Sequence, residues 1–384
     1  MSWSRHTTTG RRSMYLSLAA ASVLAIGVAW ALAPATRPAV NLTSAKLTGK
    51  IATGNTNPGR TAGFVLDHGR YLPVAPPGGF EDLVASPLSP LDINDRDQIV
   101  GSYLDPAGRE RGFLLGRDRN QFVQVDVPGA AGTQAQGINN HGQVVGVYSD
   151  TGNPSVTGAD LRGFLLDHGR YIRLDYANAL TSQAQNVNDR GFVSGEFQAA
   201  DGTFHGYLWR HGRFRALATP GSASGINNRG EITGPFGDIA TADGYLLSGK
   251  RFTTFEAPGA QITIPRDINN RGQIVGFSLP SLTGEVSGFV RSDGRFTVIQ
   301  RPGAIVTALF GINNRGQIVG YGPTAEDLAG LPAESATALR SQLSWPDLSF
   351  CASTRIDLVA DMTGQPLERL RMTTTSGEAE PGSS

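Results

Sequence analysis

Apolar residues in the middle of this chain fall into short runs of strand length, four to a unit. In the unit around residue 138, Gln143-Val144-Val145-Gly146-Val147-Tyr148 is rich in β-branched and aromatic residues. Arg162-Gly163-Phe164-Leu165-Leu166 is a further run. Tyr171-Ile172-Arg173-Leu174-Asp175 alternates polar and apolar side chains, as a half-buried outer strand does. Gln136-Gly137-Ile138 is the fourth piece. Tight turns punctuate the runs: Asn139-Asn140-His141-Gly142 and Asp167-His168-Gly169-Arg170. Asparagine tolerates left-handed backbone angles and glycine adopts them at little cost. No segment between 61 and 322 carries sustained helical periodicity.

Two half-units alternate along the chain. One is an Ile-Asn block, clearest in Gly311-Ile312-Asn313-Asn314-Arg315-Gly316-Gln317-Ile318-Val319-Gly320, with copies beginning at 93, 138, 187, 226, 268 and 312. The other is a Gly-aromatic block at Gly63-Phe64, Gly112-Phe113, Gly163-Phe164, Gly206-Tyr207, Gly244-Tyr245 and Gly288-Phe289. A period in the low forties built from strands predicts β-propeller blades of four antiparallel strands, not a helical solenoid. The series begins with a Gly-aromatic half and ends with an Ile-Asn half. An open array would leave an orphan at each end, whereas in a ring residues 61–75 complete the blade begun by 309–322. The expectation is an all-β, six-bladed propeller over 61–322, closed by strand exchange between its ends. Pro235 in the fourth unit stands where the others continue the strand, which predicts a bent or shortened blade there.

The flanks differ. Arg5, Arg11 and Arg12 precede an uncharged apolar run from 14 to 33, so residues 1–35 read as a signal peptide or membrane anchor that places the rest outside the cytoplasm. Arg11-Arg12 resembles a twin-arginine export signal, although an ordinary positive flank accounts for it. Residues 36–60 read as a flexible linker. Residues 323–384 lack the repeat, with a short helix expected after 326 and a disordered end.

Composition fits many short strands joined by turns: 49 glycines and 22 prolines among 384 residues. The 33 basic and 33 acidic residues cancel, which argues against a general nucleic-acid or acidic-membrane surface, since either needs a clustered basic excess. Membrane contact is expected only through the N-terminal segment. Cys351, the single cysteine, forms no internal disulfide and no structural cysteine–zinc site.

The repeat resembles the HAF-type extracellular repeat of bacterial proteins. The resemblance is carried by Gly-Ile-Asn-Asn-Arg-Gly-Gln-Ile-Val-Gly, the following Gly-Phe-Leu, and the Pro-Gly-Ala elements at Pro128-Gly129-Ala130, Pro258-Gly259-Ala260 and Pro302-Gly303-Ala304. It covers roughly 61–322 and implies an exported, β-rich repeat protein. It implies no reaction.

Candidate chemistry is sparse. His68, His168 and His211 occupy equivalent turn positions, which symmetry keeps apart, so exposed turn residues are expected rather than metal ligands. Asn94, Asn139, Asn188, Asn227, Asn269 and Asn313 sit at strand-to-turn junctions, where their side chains cap turn backbone; sugar binding in a channel is the rival reading. Asp92, Asn94, Asp95 and Asp97 lack EF-hand spacing and read as a solvated turn. Gly221-Ser222-Ala223-Ser224-Gly225 has alanine at the centre and fails as a nucleophile elbow. No phosphate loop, paired-His metal helix or dinucleotide fingerprint appears. No metal or other cofactor is expected.

Topology gives one better pointer. Both repeat-invariant turns of a blade must lie on one face of the ring, so the variable loops share the other, where function concentrates. Tyr103, Tyr148 and Phe197 end second strands near that loop face, with Asp105, Asp150 and Asp201 in the loops beyond. These six form the candidate ligand-binding set. The functional expectation is a non-catalytic binding or scaffold module of the cell envelope that takes a carbohydrate, peptide or partner protein. The alternative is a propeller hydrolase or lyase with a site at the channel mouth, assembled from several blades.

Overall fold

The computed structural model describes residues 62–327 apart from 79, 81–85, 87, 118, 120, 156–159, 238–240, 282–283 and 326. The expected leader, the linker, Cys351 and the tail beyond 327 lie outside the described residues.

Within them the chain forms 24 strands in six four-stranded antiparallel sheets. It enters through β1 (Gly63–Asp67) and β2 (Arg70–Pro73). Blade I follows as β3 (Ser89–Ile93), β4 (Ile99–Leu104), β5 (Glu110–Leu115) and β6 (Phe122–Val125). Blade II is β7 (Gly132–Ile138), β8 (Val144–Ser149), β9 (Arg162–Asp167) and β10 (Arg170–Leu174). Blade III is β11 (Thr181–Val187), β12 (Val193–Gln198), β13 (Phe204–Arg210) and β14 (Arg213–Pro220). Blade IV is β15 (Gly225–Ile226), β16 (Ile232–Phe236), β17 (Asp243–Ser248) and β18 (Arg251–Phe255). Blade V is β19 (Ile262–Ile268), β20 (Ile274–Leu279), β21 (Ser287–Ser292) and β22 (Arg295–Ile299). Blade VI joins β23 (Ala308–Ile312) and β24 (Ile318–Tyr321) to β1 and β2, in the order β2-β1-β24-β23.

The last pairing is the expected strand exchange. β1 lies antiparallel to β24 with Gly63 opposite Tyr321 and Leu66 opposite Ile318. Neither end of the described chain leaves a propeller half exposed.

The repeat residues explain the packing. The aromatic of each Gly-aromatic block is fully buried between blades: Phe64, Phe113, Phe164, Tyr207, Tyr245 and Phe289. Each blade-to-blade seam has its own apolar cluster. Between blades I and II it holds Val100, Val125, Ala135, Tyr148 and Phe164. Between V and VI it holds Val275, Leu309, Ile312, Ile318 and Phe64. The second-strand glycine is needed for this fit: a methyl group on Gly146 would come within 2.8 Å of the Phe164 ring. In blade IV, Pro235 offers no N–H to the inner strand. There the inner strand shrinks to Gly225 and Ile226, paired with Thr233 and Ile232. The blade is shortened, as the sequence suggests.

Candidate functional site

Six asparagines knit the blades together around the axis. Asn94 Nδ2 donates to the Asn139 carbonyl at 3.0 Å, Asn139 to Asn188, Asn188 to Asn227, Asn227 to Asn269, Asn269 to Asn313, and Asn313 back to Asn94. Each Oδ1 meanwhile accepts two backbone N–H groups of its own turn, as Asn139 does from His141 and Gln143 at 3.0 Å. The capping role is therefore met, and the same side chain also bonds the next blade. A second ring lies beside the first. The backbone N–H groups of Asp95, Asn140, Asp189, Asn228, Asn270 and Asn314 each donate to the side-chain oxygen of the next member.

These rings surround a narrow mouth of about 60 Å³. Its floor corrects one expectation: Asp92 is not in a solvated turn but is 4% exposed at the axis. A β-bulge between Pro90 and Asp92 turns it inward. The residue at this position is Asp92, Gly137, Asn186, Gly225, Asp267 and Gly311 in successive blades, so side chain and glycine alternate around the ring. A methyl group on Gly311 would lie 2.6 Å from the Asp92 Cα, and one on Gly225 would lie 2.7 Å from that of Asp267. The glycines make room for three polar side chains that share the axis.

Those side chains are held by backbone. Asp92 accepts from the N–H groups of Ile93 and Ile138 at 2.7 and 2.8 Å, and Asp267 from those of Ile268 and Ile312 at the same distances. Asn186 Nδ2 reaches across to Asp267 at 3.0 Å. Burial pushes both carboxyls up, Asp267 to about 6; for Asp92 the negative charge of Asp267 adds to it. Above this floor the interior divides. Leu91, Ile264, Phe277, Phe310 and Tyr321 make one apolar wall. Buried Gln183, Gln185, Glu196, Ser222 and Arg266 make a polar one. Gln183 Nε2 donates to Glu196 at 2.9 Å and Gln185 Nε2 to Ser222 at 3.1 Å. Burial lifts Glu196 to about 7 and lowers Arg266 to about 10. Among the described residues no three His, Cys, Asp or Glu side chains are grouped to hold a metal ion.

The six candidate residues are spread over three blades. Tyr103 is 3% exposed and packs against Phe122 at 5.6 Å between ring centroids. Tyr148 is 1% exposed in the seam of blades I and II, beneath the Arg173 guanidinium. Asp105 is buried beside Arg109 and Arg111, bonded to each at 2.9 and 3.0 Å. Burial alone would raise its pKa; the Arg109 N–H and the two guanidiniums hold it below the usual carboxylate range. Asp150 is exposed.

Phe197 and Asp201 are brought together in blade III, along with two residues that the sequence reading passed over. Tyr176 lies flat on Phe197, with ring centroids 3.7 Å apart and planes 2° apart. His205 stacks beside Phe197 at 5.3 Å. Tyr176 and His205 are half-buried, and Leu180 nearby is 52% exposed. Thr203 Oγ1 lies 2.6 Å from Asp201 Oδ1 and 2.8 Å from His205 Nε2. The threonine has one hydroxyl hydrogen, and Asp201 only accepts, so the proton of His205 sits on Nε2 and is given to Thr203. The chain from His205 through Thr203 to Asp201 uses Nε2 and leaves His205 Nδ1 outside it. A signal for this site exists in the sequence. Where other blades carry Val127-Pro128-Gly129, Ala257-Pro258-Gly259 and Arg301-Pro302-Gly303, blade II ends in Tyr176-Ala177-Asn178. Asn178 keeps the left-handed turn (φ 61°) that glycine makes at 129, 259 and 303.

No protein-family model matches the chain, and no curated protein matches its sequence. Similar solved structures include TolB from Acinetobacter baumannii, 12% identical with a TM-score of 0.43 over 63% of this chain and 56% of that one. The putative TolB from Agrobacterium tumefaciens is 14% identical, with a TM-score of 0.38 over 55% of this chain and 72% of that one. The Aleuria aurantia lectin, seen with α-methyl-L-fucoside, is 10% identical with a TM-score of 0.38 over 55% and 77%. These are distant likenesses of architecture alone.

Proposed function

We propose that the protein is an exported, non-catalytic binding module of the HAF-repeat type, with its ligand on the loop face at blade III. The observation that carries this reading is the half-buried stack of Tyr176, Phe197 and His205, bordered by Asp201, Thr203 and the exposed Leu180. Elsewhere the second-strand aromatics of the candidate set are covered; here two of three stacked rings reach the surface. A flat aromatic next to a hydrogen-bonded carboxylate, hydroxyl and imidazole suits a saccharide. Its C–H face lies on the ring while its hydroxyls meet fixed acceptors. Rigid scaffolding supports this use, because the stack stands on strands that six seams and two amide rings hold in place. Export is supported by the arginine-flanked apolar run at 14–33.

The test is a glycan and peptide array probed with the full chain, followed by titration of the strongest saccharide. Tyr176→Ala and His205→Ala should each weaken binding about tenfold or more, with the thermal melt close to that of the parent. Binding unchanged in both variants, or confined to peptides, would overturn the saccharide reading.

A further inference from the structure

Net charge sums over both faces of the ring, and here the sum hides a separation. The inner turns follow first strands, the outer turns follow third strands, and antiparallel order puts all twelve on one face. Each outer strand but one opens with an exposed arginine: Arg70, Arg170, Arg213, Arg251 and Arg295. Arg117 serves the outer turn of blade I. The inner turns carry exposed Arg96, Arg190, Arg229, Arg271 and Arg315, with His141 in the remaining blade. Two concentric rings of guanidinium groups result.

The acids of this face are sunk and engaged. Asp95 and Asp189 each accept two asparagine Nδ2 groups within the amide ring. Asp97 pairs with Arg315, and Glu231 with Arg229 at 2.5 Å. Asp67 and Asp167 bond to His68 and His168. Asp293 is the exposed acid of this face among the described residues. On the opposite face Asp150, Asp175, Asp201, Glu256 and Glu285 are exposed, against the exposed arginines Arg109 and Arg173. The molecule is electrically two-sided, basic on the turn face and acidic on the loop face.

Turn lengths are uniform. Every inner turn spans five residues between strands, and five of the six outer turns span two. Equal turns bring these arginines to two common levels, the longer outer turn of blade I, 116–121, being the exception. Apart from the narrow mouth at the axis, the described residues of this face show no exposed large apolar side chain; Leu72, Leu180, Val298 and Ile305, the exposed large hydrophobics among the described residues, lie on outer strands or on loops of the other face. A single-stranded polymer needs a groove with stacking platforms. Arginines spread over a disc at even height fit an extended plane of phosphates, which the guanidinium fork binds bidentately.

We propose that the turn face is a docking surface for an anionic phospholipid bilayer, leaving the acidic loop face and its blade III stack pointing away from the lipid. The test uses the full chain and vesicles of phosphatidylcholine with and without phosphatidylglycerol. Arg5, Arg11 and Arg12 beside the N-terminal apolar run add the same preference for anionic vesicles to the parent and to every variant, so the change between parent and variant reads the face. At low salt the anionic vesicles should bind about a hundredfold more tightly, and high salt should erase the gap. Replacing Arg170, Arg213, Arg251 and Arg295 together by glutamine should remove most of it. A second variant, Arg70→Gln with Arg190→Gln and Arg271→Gln, should narrow it independently, so that misfolding of one variant does not decide the matter. Arg173→Gln with Arg215→Gln, two exposed arginines off this face, should leave it intact. Equal binding to both vesicle types, a gap that survives both arginine variants, or tighter binding to heparin or duplex DNA than to anionic vesicles would overturn the proposal.

Discussion

Asn313 Nδ2 donates to the carbonyl of Asn94 at 3.1 Å, across 219 residues of sequence. It is the same bond that Asn139 makes to Asn188. The ring closes with the geometry of any internal step, so the chain ends are joined as firmly at the axis as neighbouring blades are.

Five of the six asparagines carry four side-chain hydrogen bonds at once, and Asn188, with Phe192 in place of the Gln or Glu, carries three, which makes truncation costly. Asn139→Ala removes the acceptor for His141 N and Gln143 N and the donor to Gln143 Oε1 and the Asn188 carbonyl. Buried partners left unmatched cost about 1–3 kcal/mol each before relaxation, so a total of about 2–4 kcal/mol is expected. Thermal melting should fall by roughly 5–10 °C. A melt within a degree of the parent would show that water replaces the ring bonds freely.

At Gly311 the constraint is steric. A methyl group there meets the Asp92 Cα and Oδ1, both at 2.6 Å, with the Leu91 carbonyl at 3.0 Å. Gly311→Ala should destabilise by about 1–3 kcal/mol, read from the urea midpoint. Adding Asp92→Gly should not restore it, because the backbone at position 92 still obstructs the new methyl. Full rescue by the double variant would refute the alternation as described.

The number of blades, their four-stranded make-up and their closure were legible because they are periodic. Six copies of Ile-Asn and six of Gly-aromatic, out of phase at the ends, leave one ring. What stayed hidden depends on departures from the period. Asp92 looked like part of a polar turn until a bulge turned it inward, and bulges leave no residue signature here. The Asn186–Asp267 bond spans 81 residues and skips a blade through Gly225. Tyr176 was hidden in a loop that differed from its relatives in three letters. The charge separation was invisible to net charge and needed only the assignment of each turn to a face.

Stability should rise on mild acidification. Burial raises Asp267 to about 6 and Glu196 to about 7, above an unfolded carboxylate near 4. The native state therefore takes up these protons first, and the cost of burying the charges is lost as pH falls from 8 through 6. Further down, Asp189 and Glu231, held below the usual range by side-chain hydrogen bonds, lose their charge and stability falls again below about pH 4. The urea midpoint should be higher at pH 5 than at pH 8. In the Asp267→Asn, Glu196→Gln double variant that rise should flatten. An unchanged rise would place its origin elsewhere.

Strand exchange makes one further demand. β1 supplies four partners to β24, from Gly63 opposite Tyr321 to Leu66 opposite Ile318, and Phe64 fills the seam with Leu309, Ile312 and Val275. Without it, β24 becomes an edge with unpaired backbone groups, and the Phe64 site becomes a void against Gly320. Losing one buried phenylalanine costs about 3–5 kcal/mol, and the strand pairing adds to this. Deleting residues 61–75 should therefore lower the melting temperature of the whole ring, not of one blade, and expose an aggregating edge. Phe64→Ala should reproduce part of the loss with the pairing kept. A deletion variant that melted like the parent, in one transition, would mean that the ring holds without its closing strand.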